Sequence, residues 1–140
     1  MRVFVDTNVF LDYIQMRPIG VKEAKAIFKL SAENAIMLLI SDLTIANIKY
    51  VTRKDIPSEI FYETISALRE LFSVVPVGEV AVDKSLALKA RDFEDALQYF
   101  SAEQALADCI VTRNPQDFHF ESSVEIIEPK EFLNKYFPDE

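Results

Sequence analysis

Basic side chains are in deficit: 15 lysines and arginines stand against 23 aspartates and glutamates in 140 residues, a formal charge of −8. A nucleic-acid binder held by phosphate neutralisation alone carries the opposite balance. Any such role must therefore rest on local positive patches, or on metal ions seated among the acids. Glycine is nearly absent as well. Gly20 and Gly78 are too far apart to write G-x-G-x-x-G or G-x-x-x-x-G-K, which excludes the dinucleotide-binding and P-loop readings. The single Cys109 excludes an internal disulfide, and its place beside Ile110 and Val111 marks a core thiol. The one histidine, His119, lies in a polar loop between Phe118 and Phe120 and reads as a packing or surface residue rather than a catalytic one. There is no charged leader with an apolar h-region, and no apolar run approaches membrane length, so a cytoplasmic protein without membrane contact is expected. No linker, low-complexity tract or repeat divides the chain, which reads as one domain over residues 1–140.

Half the residues are hydrophobic and 27% are charged, a globular composition. A 16.0 kDa chain should fold to roughly 7,400 Å² of surface from roughly 23,000 Å² unfolded, burying about two-thirds. Arg2 to Val5 is a short apolar, β-branched run that stops at Asp6-Thr7-Asn8, the pattern of a buried strand followed by a helix start. Val9, Phe10 and Tyr13 share a helical face up to Pro18, and Val21 to Ala32 repeats apolar residues at helical spacing. Ile36 to Ile40 is a second strand. Ser41 and Asp42 are good caps for a helix to about Val51, and Pro57 at a first-turn position opens another. Val74 to Val77 reads as a third strand, Glu79 to Arg91 and Phe93 to Ala107 as helices, and Cys109 to Thr112 as a fourth strand. Val124 to Ile127 fits a fifth strand, and Pro129 to Tyr136 a closing helix. Continuously apolar strands alternating with helices predict an α/β fold: a three-layer α/β/α sandwich around a central, mostly parallel sheet of four to five strands.

In such a sheet, ligands bind where the chain leaves the carboxyl ends of the strands. The first strand is followed by Asp6, Thr7 and Asn8, and the second by Ser41 and Asp42, with Asn47 one and a half turns into the helix. Asp92-Phe93-Glu94-Asp95 opens the helix before the fourth strand, and Thr112-Arg113-Asn114, with Asp117, follows that strand. If the strands are neighbours, these oxygens converge where a hard divalent cation prefers to bind. Each residue also has a plainer reading. Asp6 can be a helix cap, Asp95 a first-turn acid facing the helix dipole, and Asp117 ordinary turn chemistry. Asn47 is either a site residue or one end of a buried hydrogen bond. Glu94 and Asp12 read as solvated.

Four segments carry a resemblance: V-F-V-D-T-N-V-F-L-D, I-S-D-L-T-I-A-N-I, D-F-E-D-A-L-Q-Y-F-S-A, and C-I-V-T-R-N-P-Q-D-F. In this order and spacing the chain resembles the PIN-domain nucleases, including the VapC-type toxins of bacterial toxin–antitoxin pairs. The resemblance implies acidic residues that bind one or two Mg²⁺ or Mn²⁺ ions while water attacks an RNA phosphodiester. It also implies a small antitoxin as partner, and a possible homodimer. Asp6, Asp95 and Asp117 fall on the family's catalytic and metal-binding aspartates. Thr7, Asn8, Thr112, Arg113 and Asn114 are expected to face substrate, with Lys49, Arg53, Lys54 and Arg113 as a local cationic patch for RNA.

One position departs. Where the family has a glutamate three residues past Thr44, this chain has Asn47. An amide oxygen can still ligate a cation, but a negative charge is lost. Asp92, one helical turn before Asp95, is expected to supply it and to join Asn47 as a metal ligand. Two functions follow: a ribonuclease in which a bound cation lowers the pKa of its water, or a catalytically weakened relative that binds RNA or protein. A D-x-D aspartyl phosphatase is discounted because its second acid would be Asn8. If Asp6, Asp92, Asp95 and Asp117 share a pocket, the rest of the chain carries 19 acids against 15 bases, or −4.

Overall fold

A computed structural model describes residues 1–118 and 122–139; His119 and Phe120 lie outside the described residues. Five strands form one all-parallel sheet in the order β3-β2-β1-β4-β5. They are β1 (Arg2–Val5), β2 (Met37–Ser41), β3 (Ser73–Val75), β4 (Cys109–Val111) and β5 (Glu125–Ile127). The helices are α1 (Thr7–Ile14), α2 (Val21–Ala32), α3 (Asp42–Val51), α4 (Ser58–Leu68), α5 (Gly78–Leu88), α6 (Phe93–Gln104) and α7 (Pro129–Tyr136). This is the three-layer sandwich expected from the alternation of apolar strands and helices.

The interiors of the central strands are apolar because both faces of the sheet are covered there. Successive side chains alternate between two cores. Val3, Val5, Leu38, Ile40, Cys109 and Val111 pack with Phe10, Ile27, Phe28 and Phe132. Phe4, Leu39, Val75 and Ile110 pack on the other side with Tyr99, Ala102 and Phe118. Cys109 belongs to the first core, and burial pushes its thiol up to about 12, so it is protonated and unreactive at neutral pH. The accessible surface of 7700 Å² is close to the expectation for this mass. Among the described residues no helix is long and apolar enough to cross a membrane.

Two helices end earlier than their apolar pattern suggests. The segment expected to stay helical to Arg91 stops at Leu88, because Lys89 turns into the left-handed region at φ +52°. The segment expected to reach Ala107 stops at Gln104. There Leu106 takes φ +58°, and the Ala107 amide closes back on the Ala102 carbonyl at 3.0 Å. This is the C-terminal wrap that glycine ordinarily announces. Neither position is a glycine, so the sequence carries no stop signal there. Pro57 precedes α4 as its cap rather than lying in its first turn.

Candidate metal centre

The strand order reverses between β1 and β4, since the chain passes from β1 outward to β2 on one side and returns to β4 on the other. A crevice opens at the carboxyl ends of strands at such a switch point. A cavity of about 280 Å³ lies there, lined by acids from separate elements: Asp6 after β1, Asp92, Glu94 and Asp95 at the start of α6, and Asp117 after β4. Thr7, Asn8, Asn47 and Asn114 also line it, and among the described residues no lysine or arginine does. A larger cavity, about 380 Å³, sits at the opposite end around Met1, Ala35 and Glu70, with no comparable group of acids.

Asp6 is held by three elements. It caps α1, its Oδ1 accepting from the Thr7 amide at 2.7 Å. Its Oδ2 accepts from the Thr112 hydroxyl at 2.9 Å and from Asn8 Nδ2 at 3.4 Å. Its backbone N–H donates to the Val111 carbonyl at 3.0 Å, continuing the β1–β4 ladder. The plainer reading of Asp6 as a helix cap holds, and the same carboxylate lines the cavity. Asn8 and Thr112 act on Asp6 and on the following turn: the Arg113 amide donates to Asn8 Oδ1 at 3.4 Å, and the Asn114 amide to the Thr112 hydroxyl at 3.2 Å. Asp92 caps α6 by accepting from the Asp95 amide at 3.0 Å, and this points Asp95 into the cavity.

Carboxylate oxygens of Asp6, Glu94 and Asp95 lie within 4.8 Å of one another. Glu94, expected to be solvated, is therefore a member of the cluster. The segment D-F-E-D gave no periodic reason to prefer it, because adjacent residues on a helix face directions about 100° apart. Asp92 and Asp117 line the cavity but remain exposed. Asp42 does not join it; its carboxylate accepts from the Val77 amide at 3.2 Å. Tyr50, an exposed residue at the end of α3, forms part of the rim, and Arg53 stacks on its ring at 3.9 Å. Lys49 instead donates to Ser58 at 3.1 Å, and Lys54 is exposed.

Arg113 does not line the cavity. Its Nε lies 2.6 Å from Oδ2 of Asp12, and Asp12 is buried, not solvated as expected from the sequence. Arg17 adds a second cation 3.8 Å from the other oxygen. The pair ties the turn that carries Asn114 and Asp117 to α1. Gly20 closes over it: a Cβ on Gly20 would fall 2.1 Å from Asp12 Oδ2, an atom already fixed by Arg113. Gly20→Ala is therefore expected to cost about 1–3 kcal/mol by forcing the carboxylate aside, read as a lower urea midpoint.

A family model described as PIN domain matches residues 2–116. The chain belongs to the PIN domain family. Ribonuclease VapC1 of Aquifex aeolicus (strain VF5) is 26% identical over 140 residues, covering 96% of this chain and 95% of that protein. The crystal structure of VapBC2 from Rickettsia felis bound to a promoter DNA fragment superposes with a TM-score of 0.68 at 18% identity, over 90% of this chain and 97% of that one. A toxin–antitoxin complex from Klebsiella pneumoniae gives 0.66 at 23% identity, over 91% and 97%. At these identities the structural likeness is one of fold.

The acids of this PIN domain repel one another in a water-poor crevice. Burial, then the charge of Glu94, pushes Asp6 up to about 6. Burial, then the charges of Asp6 and Asp92, pushes Asp95 up to about 8. With Asp95 held near 8, the pocket retains a proton near pH 7. Carboxyls held above their unfolded values bind more protons folded than unfolded, so the contribution of Asp6 and Asp95 to stability is full below about pH 4 and is lost as pH rises through about 6 and 8. A cation entering the pocket would displace that proton. Mn²⁺ affinity is expected to rise by about tenfold per pH unit between 6 and 8 while one proton is released, which calorimetry in buffers of different ionisation enthalpy would measure.

Proposed function

We propose that this PIN domain is a divalent-metal-dependent ribonuclease, the toxin of a toxin–antitoxin pair. The observation that carries the reading is the meeting of Asp6, Glu94 and Asp95 at the topological switch point in a cavity that, among the described residues, no basic side chain lines. Clustered carboxylates without a neutralising cation are costly, and hard oxygen donors fit Mg²⁺ or Mn²⁺. The 26% identity to a ribonuclease over the whole chain supports the substrate class. The structural likeness to toxin–antitoxin complexes supports the partner.

Asp6, Glu94 and Asp95 would hold the ion, with Asp92 and Asp117 lining the same cavity where a second ion or its water would sit. The bound cation supplies positive charge for the scissile phosphate and acidifies a water molecule. The protein's own work is positioning. Thr7, Asn8 and Thr112 fix Asp6, and Asp92 fixes the first turn that carries Asp95. Asn114 on the facing wall offers an amide to the RNA, and no histidine or lysine base is required.

The test is cleavage of a pool of structured and single-stranded RNAs by the full chain, with Mg²⁺ or Mn²⁺ and with chelator. Products that need the ion are expected; cleavage unaffected by chelation would exclude the metal mechanism. Inhibition by the product of a small open reading frame beside the gene tests the toxin assignment.

A further inference from the structure

Helix α3 brings an amide, Asn47, to the wall opposite α6, and the amide is engaged rather than idle. Asn47 Nδ2 donates to Glu94 Oε1 at 3.0 Å. The same oxygen accepts from Gln98 Nε2 at 2.9 Å. Gln98 lies four residues after Glu94, on the same face of α6, and is fully buried. A buried glutamine is costly unless every polar group is paired, and here the partners also fix which way the amide points. Ser41 Oγ accepts from the Thr44 amide at 3.1 Å, so its proton is free to go to Gln98 Oε1, 2.6 Å away. The Gln98 NH₂ group then faces the Thr44 hydroxyl at 2.8 Å, the Thr7 hydroxyl at 3.2 Å and Glu94. A flipped amide would set its oxygen against the Glu94 carboxylate.

This geometry opposes a specific tendency. Glu94 is half-buried, and its neighbours Asp6 and Asp95 are acids. Like-charge repulsion would otherwise swing its flexible side chain towards water. Two neutral donors on one oxygen hold the charge in the cluster without cancelling it.

We propose that Asn47 and Gln98 are positioning residues that together hold Glu94 as the third acidic ligand of the site, so that α3 contributes a donor to an acid carried by α6. The proposal rests on the metal-dependent reading above. Ser41 and Thr44 form the base of the device, which runs from the end of β2 through the core of the site to the cavity.

Mn²⁺ binding to the full chain, followed by electron paramagnetic resonance, tests it. Glu94→Gln, Asn47→Ala and Gln98→Met are each expected to weaken binding by about 10–100-fold. In cleavage assays the loss should appear as a higher Mn²⁺ half-saturation, with turnover recovering at saturating ion for Asn47→Ala and Gln98→Met. A residue of purely structural importance would lower turnover at every ion concentration. Because Gln98→Met risks the fold, Asn47→Ala at the rim carries the test independently. The exchange Asn47→Glu with Glu94→Gln returns the charge from the opposite wall and should bind within a few-fold of wild type. Wild-type affinity in Asn47→Ala and Gln98→Met overturns the positioning role, and wild-type affinity in Glu94→Gln overturns the ligand. Wild-type protein that neither binds Mn²⁺ nor needs it for cleavage fails the metal reading itself.

Discussion

Asp6→Asn and Asp95→Asn should each lower RNA cleavage on the order of 10²–10³-fold while leaving the protein folded. The asparagine keeps the volume of the aspartate, and at position 6 an amide oxygen can still accept from the Thr7 amide that caps α1. What is lost is charge. Burial and the neighbouring acids hold both groups well above their ordinary values, so their ionised forms are destabilising until a cation arrives. The metal-free variants are therefore expected to unfold at the same temperature as wild type or higher at pH 8. The stabilisation by Mn²⁺ that the proposed reading expects of wild type, in which the ion would bind only the folded cluster, should nearly vanish. Thermal unfolding with and without the ion, run beside the cleavage assay, checks both halves. Cleavage persisting in both variants would remove these acids from the chemistry.

Asp12→Ala or Arg113→Ala is expected to cost about 3–5 kcal/mol, or about 10–15 °C in melting temperature. Asp12 is buried against α1's own surroundings, with Arg113 Nε 2.6 Å away and Gly20 packed over its carboxylate. Asp12→Ala leaves Arg113 without its carboxylate, and Arg113→Ala leaves the buried Asp12 with Arg17 alone, 3.8 Å from its other oxygen. Asp12→Leu combined with Arg113→Met should recover much of the loss, since paired replacement by apolar residues removes the desolvation penalty as well as the attraction. Equilibrium denaturation in urea measures this. It also separates two roles for Arg113: a residue whose main work was gripping RNA would raise KM on substitution and leave the urea midpoint unchanged.

Asp6, Asp95 and Asn47 were visible along the chain because each sits at a place that the strand and helix pattern itself defines: the end of a strand, the first turn of a helix, a polar interruption in an apolar face. The pairing of Arg113, expected to face substrate, with Asp12, expected to be solvated, was not. Both are charged residues that ordinarily face water, and their burial depends on the turn after β4 meeting α1, two segments about a hundred residues apart. Glu94 was hidden for a related reason. Asp92, Glu94 and Asp95 are three acids in four positions, and which of them enters the crevice depends on the rotation of α6 against the sheet. That rotation is fixed by Tyr99 and Ala102 in the core on one side and by Gln98 on Ser41 and Thr44 on another.

By itself the sequence determined an α/β sandwich with acids at the strand ends, because burial on both faces demands unbroken apolar strands and turn chemistry marks where each one stops. Only the tertiary structure decided which charges meet. The basic deficit is a property of the whole chain, but its consequence is local: Asp6, Glu94 and Asp95 face one another across a switch point that, among the described residues, no lysine or arginine lines. A periodicity specifies which face of a helix is buried. It does not specify which polar side chain at the edge of that face turns inward, since that depends on the partner it finds there.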